Sequence, residues 1–259
     1  MRTKEETNKL IETIAARAWP AKRTKKYGKW LLRTHDGVTK RANSVLTLGE
    51  IPKDKDWLLH IEQYYHSQGL TPYFYITESS PIGLKTVLEN QHYKLDTKLG
   101  ILSVSPEQII NKVSLHKEWD LTIEPAVSAA WMTAFMSLEG HKSQETKAFT
   151  EIFRAIPLVK GFIALKMREE IIAVATIATE DGWGYISNVI VSPKYRRRGI
   201  ASQLMLHLAL WAKKHGTENL FMQVLANNEP ALRLYDTLGF VTIAKSYYVK
   251  KISNSLHKV

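Results

Sequence analysis

Residues 4–18 set Leu10, Ile11, Ile14, Ala15 and Ala18 along one side of a helix and arginine, lysine and glutamate along the other, and Trp19-Pro20 ends the pattern. Trp30-Leu31-Leu32-Arg33 reads as a strand, His35-Asp36-Gly37 as a tight turn, and the stretch near Arg41 to Leu48 as a returning strand. Residues 54–68 have helical spacing and stop at Gly69. Pro72 to Ile76 is a short aromatic strand, residues 82–91 a helix, and Tyr93 to Val104 one or two strands. Ser105-Pro106 opens a less regular segment to about Glu118, which is expected to connect two domains, 1–110 and 119–259.

The pattern restarts at Trp119. Leu121 to Ile123 predicts a short strand, Ala126 to Ser137 an apolar helix, and Gln144 to Ile156 an amphipathic helix that ends before Pro157. Gly161 to Met167, Ile171 to Ala178 and Tyr185 to Val191 read as three strands, joined at Arg168-Glu169-Glu170 and Asp181-Gly182. Ile200, Leu204, Leu208 and Trp211 then share one face of a long helix that closes on Lys213, Lys214, His215 and Gly216. Asn219 to Leu225 is a strand. Glu229 to Leu238 is a helix with Pro230 in its first turn and Gly239 past its end, and Val241 to Val249 is the last strand.

The two halves repeat. Gly69 and Gly216, Phe74 and Phe221, and Tyr93 and Phe240 are each separated by 147 positions. At each place a helix stops at glycine, an aromatic-bearing strand follows, and a further helix leads into an aromatic residue. The same offset lays Arg41 to Val45 over Asn188 to Ser192.

Composition narrows the class. The chain has 259 residues with 44% apolar content, enough for a full core. It has no cysteine, which excludes disulfides, thiolate metal sites and a cysteine acyl-enzyme. No run approaches the roughly 18 apolar residues of a membrane span, and Met1 to Arg17 lacks a signal-peptide core, so cytoplasm is expected. The formal charge is +11. Such a balance suits an anionic cofactor, nucleic acid or simply a solvated basic surface. Lysines and arginines cluster at Lys22 to Lys29, read as surface or loop, and at Lys194 to Arg198.

The second cluster has a context. In Val189 to Ser202 an apolar strand ends, a basic turn with Arg196, Arg197 and Arg198 follows, and a helix starts on Gly199, Ile200, Ala201 and Ser202. Free amides at a helix start, the positive end of its dipole and three arginines make a phosphate site. The matching place in the first half, Gly49 to Asp54, has no arginine run, carries acidic side chains and includes Pro52, which has no amide to donate. It should not hold a pyrophosphate. No His/Asp/Glu cluster has metal-ligand spacing, and no Ser/His/Asp set stands out.

Arg196-Arg197-Arg198-Gly199-Ile200-Ala201 resembles the acetyl-CoA signature of the GNAT superfamily of N-acetyltransferases, (Arg/Gln)-x-x-Gly-x-(Gly/Ala). Gln223 to Phe240, with its asparagine, alanine, Leu-Tyr and Gly-Phe, resembles that family's second motif in the right order and at the right distance. The likeness covers roughly residues 119–259; the first half resembles the degenerate half of tandem GNAT proteins. The resemblance implies an α/β (α+β) fold of two GNAT-like halves, each a mixed, mostly antiparallel twisted sheet flanked by helices. It implies acetyl-CoA bound by Val189, Ile190 and Val191 along the pantetheine arm, by residues 196–202 at the pyrophosphate, and by Asn228. Asn228 also reads as a helix N-cap. Tyr235 takes the place of the general acid that reprotonates the departing thiolate, and its spacing with Ala231, Leu234 and Leu238 equally suits a core residue.

The places where some family members keep a glutamate base hold Tyr185 and Gln223. The reaction so implied is direct acetyl transfer from acetyl-CoA to a primary amine in a ternary complex. A small-molecule amine, an amino acid such as glutamate and a protein or peptide amine all stand open as acceptors. A non-catalytic acetyl-CoA-binding or sensing module is the alternative reading, with nucleic-acid association a third. No membrane partner is expected.

Overall fold

The computed structural model describes residues 2–116 and 118–252. The fold is mixed α/β, with mostly antiparallel strands and flanking helices, as the sequence predicts. Among the described residues no helix is long and apolar enough to cross a membrane. The chain forms two compact units, and neither is one continuous stretch. The first comprises the described residues of Met1–Lys9, Ala21–Leu99 and Ala244–Val259; the second comprises Leu10–Pro20 and Gly100–Ile243. Helix α1 (Lys4–Ala18) therefore begins in one unit and ends in the other.

In the first unit β1 (Arg23–Tyr27), β2 (Trp30–Thr34) and β3 (Val45–Leu46) pair antiparallel in turn. Helix α2 (Trp57–His66) then carries the chain to β4 (Tyr73–Ile76), which lies parallel to β3. Helix α3 (Leu84–Asn90) leads into β5 (Tyr93–Val104). The core gathers Trp30, Val45, Ile61, Tyr65, Phe74 and Leu88. Phe74 sits edge-on to Trp30, Trp57 and Tyr93 at 6.2, 6.1 and 5.2 Å between ring centroids.

The second unit repeats the plan at greater length. After α4 (Pro106–Lys112) come β6 (Asp120–Glu124), α5 (Ala129–Glu139), α6 (Thr146–Ala155), β7 (Val159–Met167), β8 (Glu170–Glu180) and β9 (Trp183–Val191). These four strands pair antiparallel in sequence order. Helix α7 (Ile200–Lys214) then crosses to β10 (Asn219–Leu225), parallel to β9, as α2 crosses from β3 to β4. Strand β8 is buried along almost its whole length, which is why it reads as one apolar run, Ile171 to Ala178. Helix α8 (Glu229–Leu238) and β11 (Val241–Lys251) complete the chain.

The last strand of each sequence half leaves its own half. Strand β5 follows α3 yet lies beside β10, and β11 follows α8 yet pairs antiparallel with β4, Tyr247 opposite Ile76 and Val249 opposite Phe74. This exchange is what makes the units discontinuous.

Three expectations are corrected. The basic stretch Lys22 to Lys29 contains an edge strand, β1, which closes a hairpin on β2 through Gly28-Lys29, with Tyr27 opposite Trp30. Its pattern was hidden because Arg23, Thr24, Lys25 and Lys26 are all exposed, the charged edge that resists further strand pairing. The strand expected from Arg41 to Leu48 shrinks to Val45–Leu46, because Asn43 ties its approach into a turn. The Asn43 side chain accepts from the amides of His35 and Gly37 and donates to the carbonyls of His35 and Thr39. The segment from Ser105 to Glu118 is not irregular throughout. It opens with α4, begun by a capping box in which the Ser105 hydroxyl accepts from the Gln108 amide and the Gln108 side chain accepts from the Ser105 amide.

One ionic clasp holds the first unit across three elements. Asp96 on β5 accepts from Lys40 at 2.5 Å and from Lys250 on β11 at 2.8 Å. Burial pushes its carboxyl up, but the bonds from Lys250, Lys40 and Thr97 outweigh burial and hold it well below the usual carboxylate range. A carboxylate so depressed stabilises the fold at every pH above its unfolded value near 3.9, and that contribution is lost as pH falls toward its lower folded value. Asp96→Asn should cost about 2 kcal/mol at pH 7 by urea unfolding, and should flatten the loss of stability seen below about pH 4.

Candidate active site

The site is built where two parallel strands part. The β9–β10 ladder runs from Trp183 opposite Asn219 to Ile186 opposite Met222 and stops there, although β9 continues to Val191 and β10 to Leu225. Just past the last pair, β9 bulges. Against β8 the register passes from Ser187 opposite Thr176 to Ile190 opposite Val174, so one extra residue is fitted into β9. Asn188 takes the left-handed conformation there, with φ 55°, one of the few side chains that tolerates it well. The Thr176 hydroxyl pins the bulge: it donates to the Ser187 carbonyl at 3.1 Å and accepts from Asn188 Nδ2 at 3.0 Å.

Beyond the bulge Val189, Ile190 and Val191 are half-buried, with a sheet partner in β8 and no registered pair in β10. Their backbone on that side can pair with an extended amide-bearing ligand, as an added strand would.

The strand ends at Ser192, whose amide donates to the Ile172 carbonyl at 2.9 Å, and a one-turn 3₁₀ helix, Pro193–Tyr195, turns the chain. Tyr195 is buried and anchors this turn. Its hydroxyl donates to Glu170 Oε2 at 2.6 Å, and Lys194 and Arg198 lie over its ring at 5.0 and 5.5 Å. Arg196 donates from Nε to the Val191 carbonyl at 3.3 Å. All three arginines are exposed.

Arg197 and Gly199 both adopt positive φ, 65° and 77°. Gly199 is the N-cap of α7 and has no side chain to spend on the helix amides. The first main-chain bond of the helix runs from Gln203 N to Gly199 O at 3.1 Å, which leaves the amides of residues 199–202 without an acceptor among the described residues. Free amide donors at the positive end of a helix dipole, beside three exposed arginines, favour an anion. Ile200 contributes only backbone there, because its side chain is 1% exposed and packs in the core with Leu204 and Leu208.

The second motif is placed by α8. Asn228 is exposed at its start and caps it, accepting from the Ala231 amide at 3.3 Å. Tyr235 is 7% exposed, in the same apolar cluster as Tyr195, Ile200 and Leu204, with Phe240 at 5.4 Å between ring centroids. Its hydroxyl has no hydrogen bond to another described residue. Burial pushes its pKa up to about 12, so the phenol keeps its proton at any physiological pH.

At the apex of the parting strands the Tyr185 hydroxyl donates to Gln223 Oε1 at 3.3 Å. His207 is a packing residue of α7 whose pKa burial lowers. His215 stacks on Trp211 at 3.8 Å at the end of the same helix. Trp131 belongs to the core, its indole N–H donating to the Ile163 carbonyl at 2.9 Å. Thr176 and Asn188 escaped the sequence reading. Their signal was the polar pair Ser187-Asn188 inside an otherwise apolar strand.

Comparison with known proteins identifies the family. Residues 7–249 match the family model described as the C-terminal domain of the probable histone acetyltransferase Rv0428c. The chain is 35% identical over 238 residues to the uncharacterized N-acetyltransferase YobR of Bacillus subtilis, covering 92% of this chain and 96% of that one. Among solved structures, a GCN5-related N-acetyltransferase from Kribbella flavida superposes with a TM-score of 0.73 at 17% identity, covering 99% of this chain and 98% of that one. A tandem GNAT protein from the clavulanic acid biosynthesis pathway superposes with a TM-score of 0.67 at 8% identity, covering 93% of this chain and 86% of that one. The chain belongs to the Rv0428c C-terminal acetyltransferase family within the GNAT superfamily of N-acetyltransferases, with tandem architecture, and is an acetyltransferase.

The bulge and the cap each make a test. Asn188→Val, a β-branched residue forced to positive φ, should cost about 1–3 kcal/mol by urea unfolding, whereas Asn188→Gly should be tolerated to within about 1 kcal/mol. Asn228→Ala should cost about 1 kcal/mol and Asn228→Ser should recover most of it in the same assay.

Proposed function

We propose that this chain moves an acetyl group from acetyl-CoA directly to a primary amine held in the same complex. The observation that carries this reading is the break of the β9–β10 ladder at Ile186 and Met222, with the unaccepted amides of residues 199–202 at the far end of β9. An extended amide-bearing arm between a free strand edge and a phosphate cradle describes pantetheine joined to a pyrophosphate. Residues 189–191 bind the arm. Arg196, Arg197 and Arg198, with the amides from Gly199 to Ser202, take the phosphates, each charge-assisted bond contributing roughly 1.5–3 kcal/mol.

Bound acetyl-CoA supplies an acyl carbon activated as a thioester. Tyr235 gives its proton to the departing sulfur. A phenol at about 12 is a weak acid beside a thiolate in water, but the burial that raises Tyr235 acts equally on an anion released next to it and raises its proton affinity. The amine proton leaves through water at the Tyr185–Gln223 pair. The chain has no cysteine to accept the acetyl group, which agrees with direct transfer.

In this reading residues 119–259 carry the transferase, their last seven lying outside the described residues, and 1–110 is a degenerate counterpart in a cytoplasmic protein. Support for the degeneracy is local. Asp54 and Asp56 stand at the start of α2 where the arginines stand before α7, Asp54 is engaged by Tyr27 and by His60 at 2.6 Å, and Leu88 is a fully buried core residue at the place of Tyr235.

Thiol release from acetyl-CoA, measured against amino acids, polyamines, aminoglycosides and peptides, should rise with one amine class only. Binding of acetyl-CoA with no turnover on any amine would make this a sensing module instead. Tyr235→Phe should lower kcat about 10²–10⁴-fold with acetyl-CoA affinity within about twofold. In the wild type the alkaline limb of kcat set by this tyrosine should not appear until pH approaches 12.

A further inference from the structure

A cavity of about 500 Å³ opens beside the first turn of α7, within the second unit. Three helices wall it: the end of α4 with the connector that follows, the start of α7 and the end of α8. Arg198 and Ser202 line it from the phosphate end of the site, and Lys112 and His116 line it from the other side.

The connector is held there by one residue. Gln203 is 2% exposed, and its side chain is committed at both ends: Nε2 donates to the Ser114 carbonyl at 2.7 Å, and Oε1 accepts from the His116 amide at 3.0 Å. A buried amide with both ends satisfied fixes the backbone it spans, so the start of α7 and the segment bearing His116 form one rigid frame. Lys112 is steadied as well. Its ammonium donates to the Thr237 carbonyl at 3.2 Å and has two further protons to give. Trp119 forms part of the wall at 8% exposure, and its indole N–H has no acceptor among the described residues. Glu118 is the one carboxylate on the rim, set against two permanent cations and an imidazole.

We propose that this cavity receives the 3′-phosphate of the CoA ribose, so that Lys112 and His116, positioned by Gln203, set a preference for CoA over 3′-dephospho-CoA. The inference rests on the acetyl-CoA reading above and adds a specificity element supplied by the connector between the halves. A phosphate monoester is close to a dianion at neutral pH, and two cations on separate elements, Lys112 and Arg198, with the His116 imidazole beside them, recognise it better than the arginines of one turn alone.

The test is calorimetric titration of the full chain with CoA and with 3′-dephospho-CoA. The wild type should prefer CoA by at least about tenfold, the worth of one charge-assisted hydrogen bond. Lys112→Ala combined with His116→Ala should reduce the preference below about threefold while affinity for 3′-dephospho-CoA stays within about twofold. Gln203→Leu should also erase the preference, though its side chain reaches no phosphate, because the connector is released. A variant that loses 3′-dephospho-CoA binding as well has lost its fold, and the single His116→Ala, an exposed side chain, then carries the comparison. Equal binding of both ligands by the wild type, or a preference that survives the double variant, overturns the proposal and leaves the acetyl-CoA reading standing. Binding of neither ligand overturns both.

Discussion

The arrangement depends on β9 leaving β10 after four residue pairs. Parallel strands that stayed together would satisfy each other's amides and carbonyls and leave nothing for a ligand. The extra residue at Asn188 prevents this, and Thr176 on the neighbouring strand holds the distortion from one side only. The antiparallel pairing with β8 resumes at Ile190 and Val174, so β9 remains anchored to the sheet while its other edge is freed. The direction in which the chain then leaves Val191 sets where the turn at Pro193–Tyr195 lies, and so where α7 begins. A bulge that left-handed asparagine tolerates thus fixes both the strand edge and the uncapped helix start.

The duplicated plan shows what this costs to maintain and what happens when it is not. β3 and β4 are also parallel and are also joined by a helix, yet β3 is two residues long and has no extension that could serve as a free edge. At the start of α2 the chain puts Asp54 and Asp56, and Asp54 is drawn into a contact with Tyr27 and His60. Carboxylates there oppose a phosphate and replace the need for one by partnering locally. The first half keeps a packed aromatic core around Phe74 and exchanges its last strand with the second half. Each half thereby contributes its last strand outside itself, so neither half's strands are complete on their own.

How much of this was legible varied with what each residue's job leaves visible. Helix α7 was plain because Ile200, Leu204 and Leu208 repeat on one face, and its start was plain because glycine and arginines mark it. Helix α4 carried its own start signal in Ser105, Pro106 and Gln108, but seven residues with only Pro106 and Ile109 buried give too little periodicity to stand out. Strand β1 was invisible to an apolar pattern because an edge strand of exposed cations has none. The bulge was missed for a different reason. Its meaning lies in Thr176, on another strand, and no local spacing reports a side chain that reaches across a register.

The proposed reaction brings two kinds of negative charge to this site, and the surroundings differ as the charges do. Phosphates are permanent anions, and the groups proposed to meet them, Arg196 to Arg198 and the amides from Gly199, stand at the surface, where cations cost no desolvation and attract an anion from a distance. A thiolate would exist only during the reaction, and the group proposed to meet it, Tyr235, is neutral and buried. A lysine or arginine at the place of Tyr235 would carry an unpaired charge in a cluster formed by Tyr195, Ile200, Leu204 and Phe240, at a cost of several kcal/mol before any substrate bound. A phenol held near 12 imposes no such penalty, and in the proposed reaction it acts only when a new anion beside it makes proton transfer favourable. The same apolar packing that makes Tyr235 look like a core residue is therefore what keeps its proton in place at physiological pH.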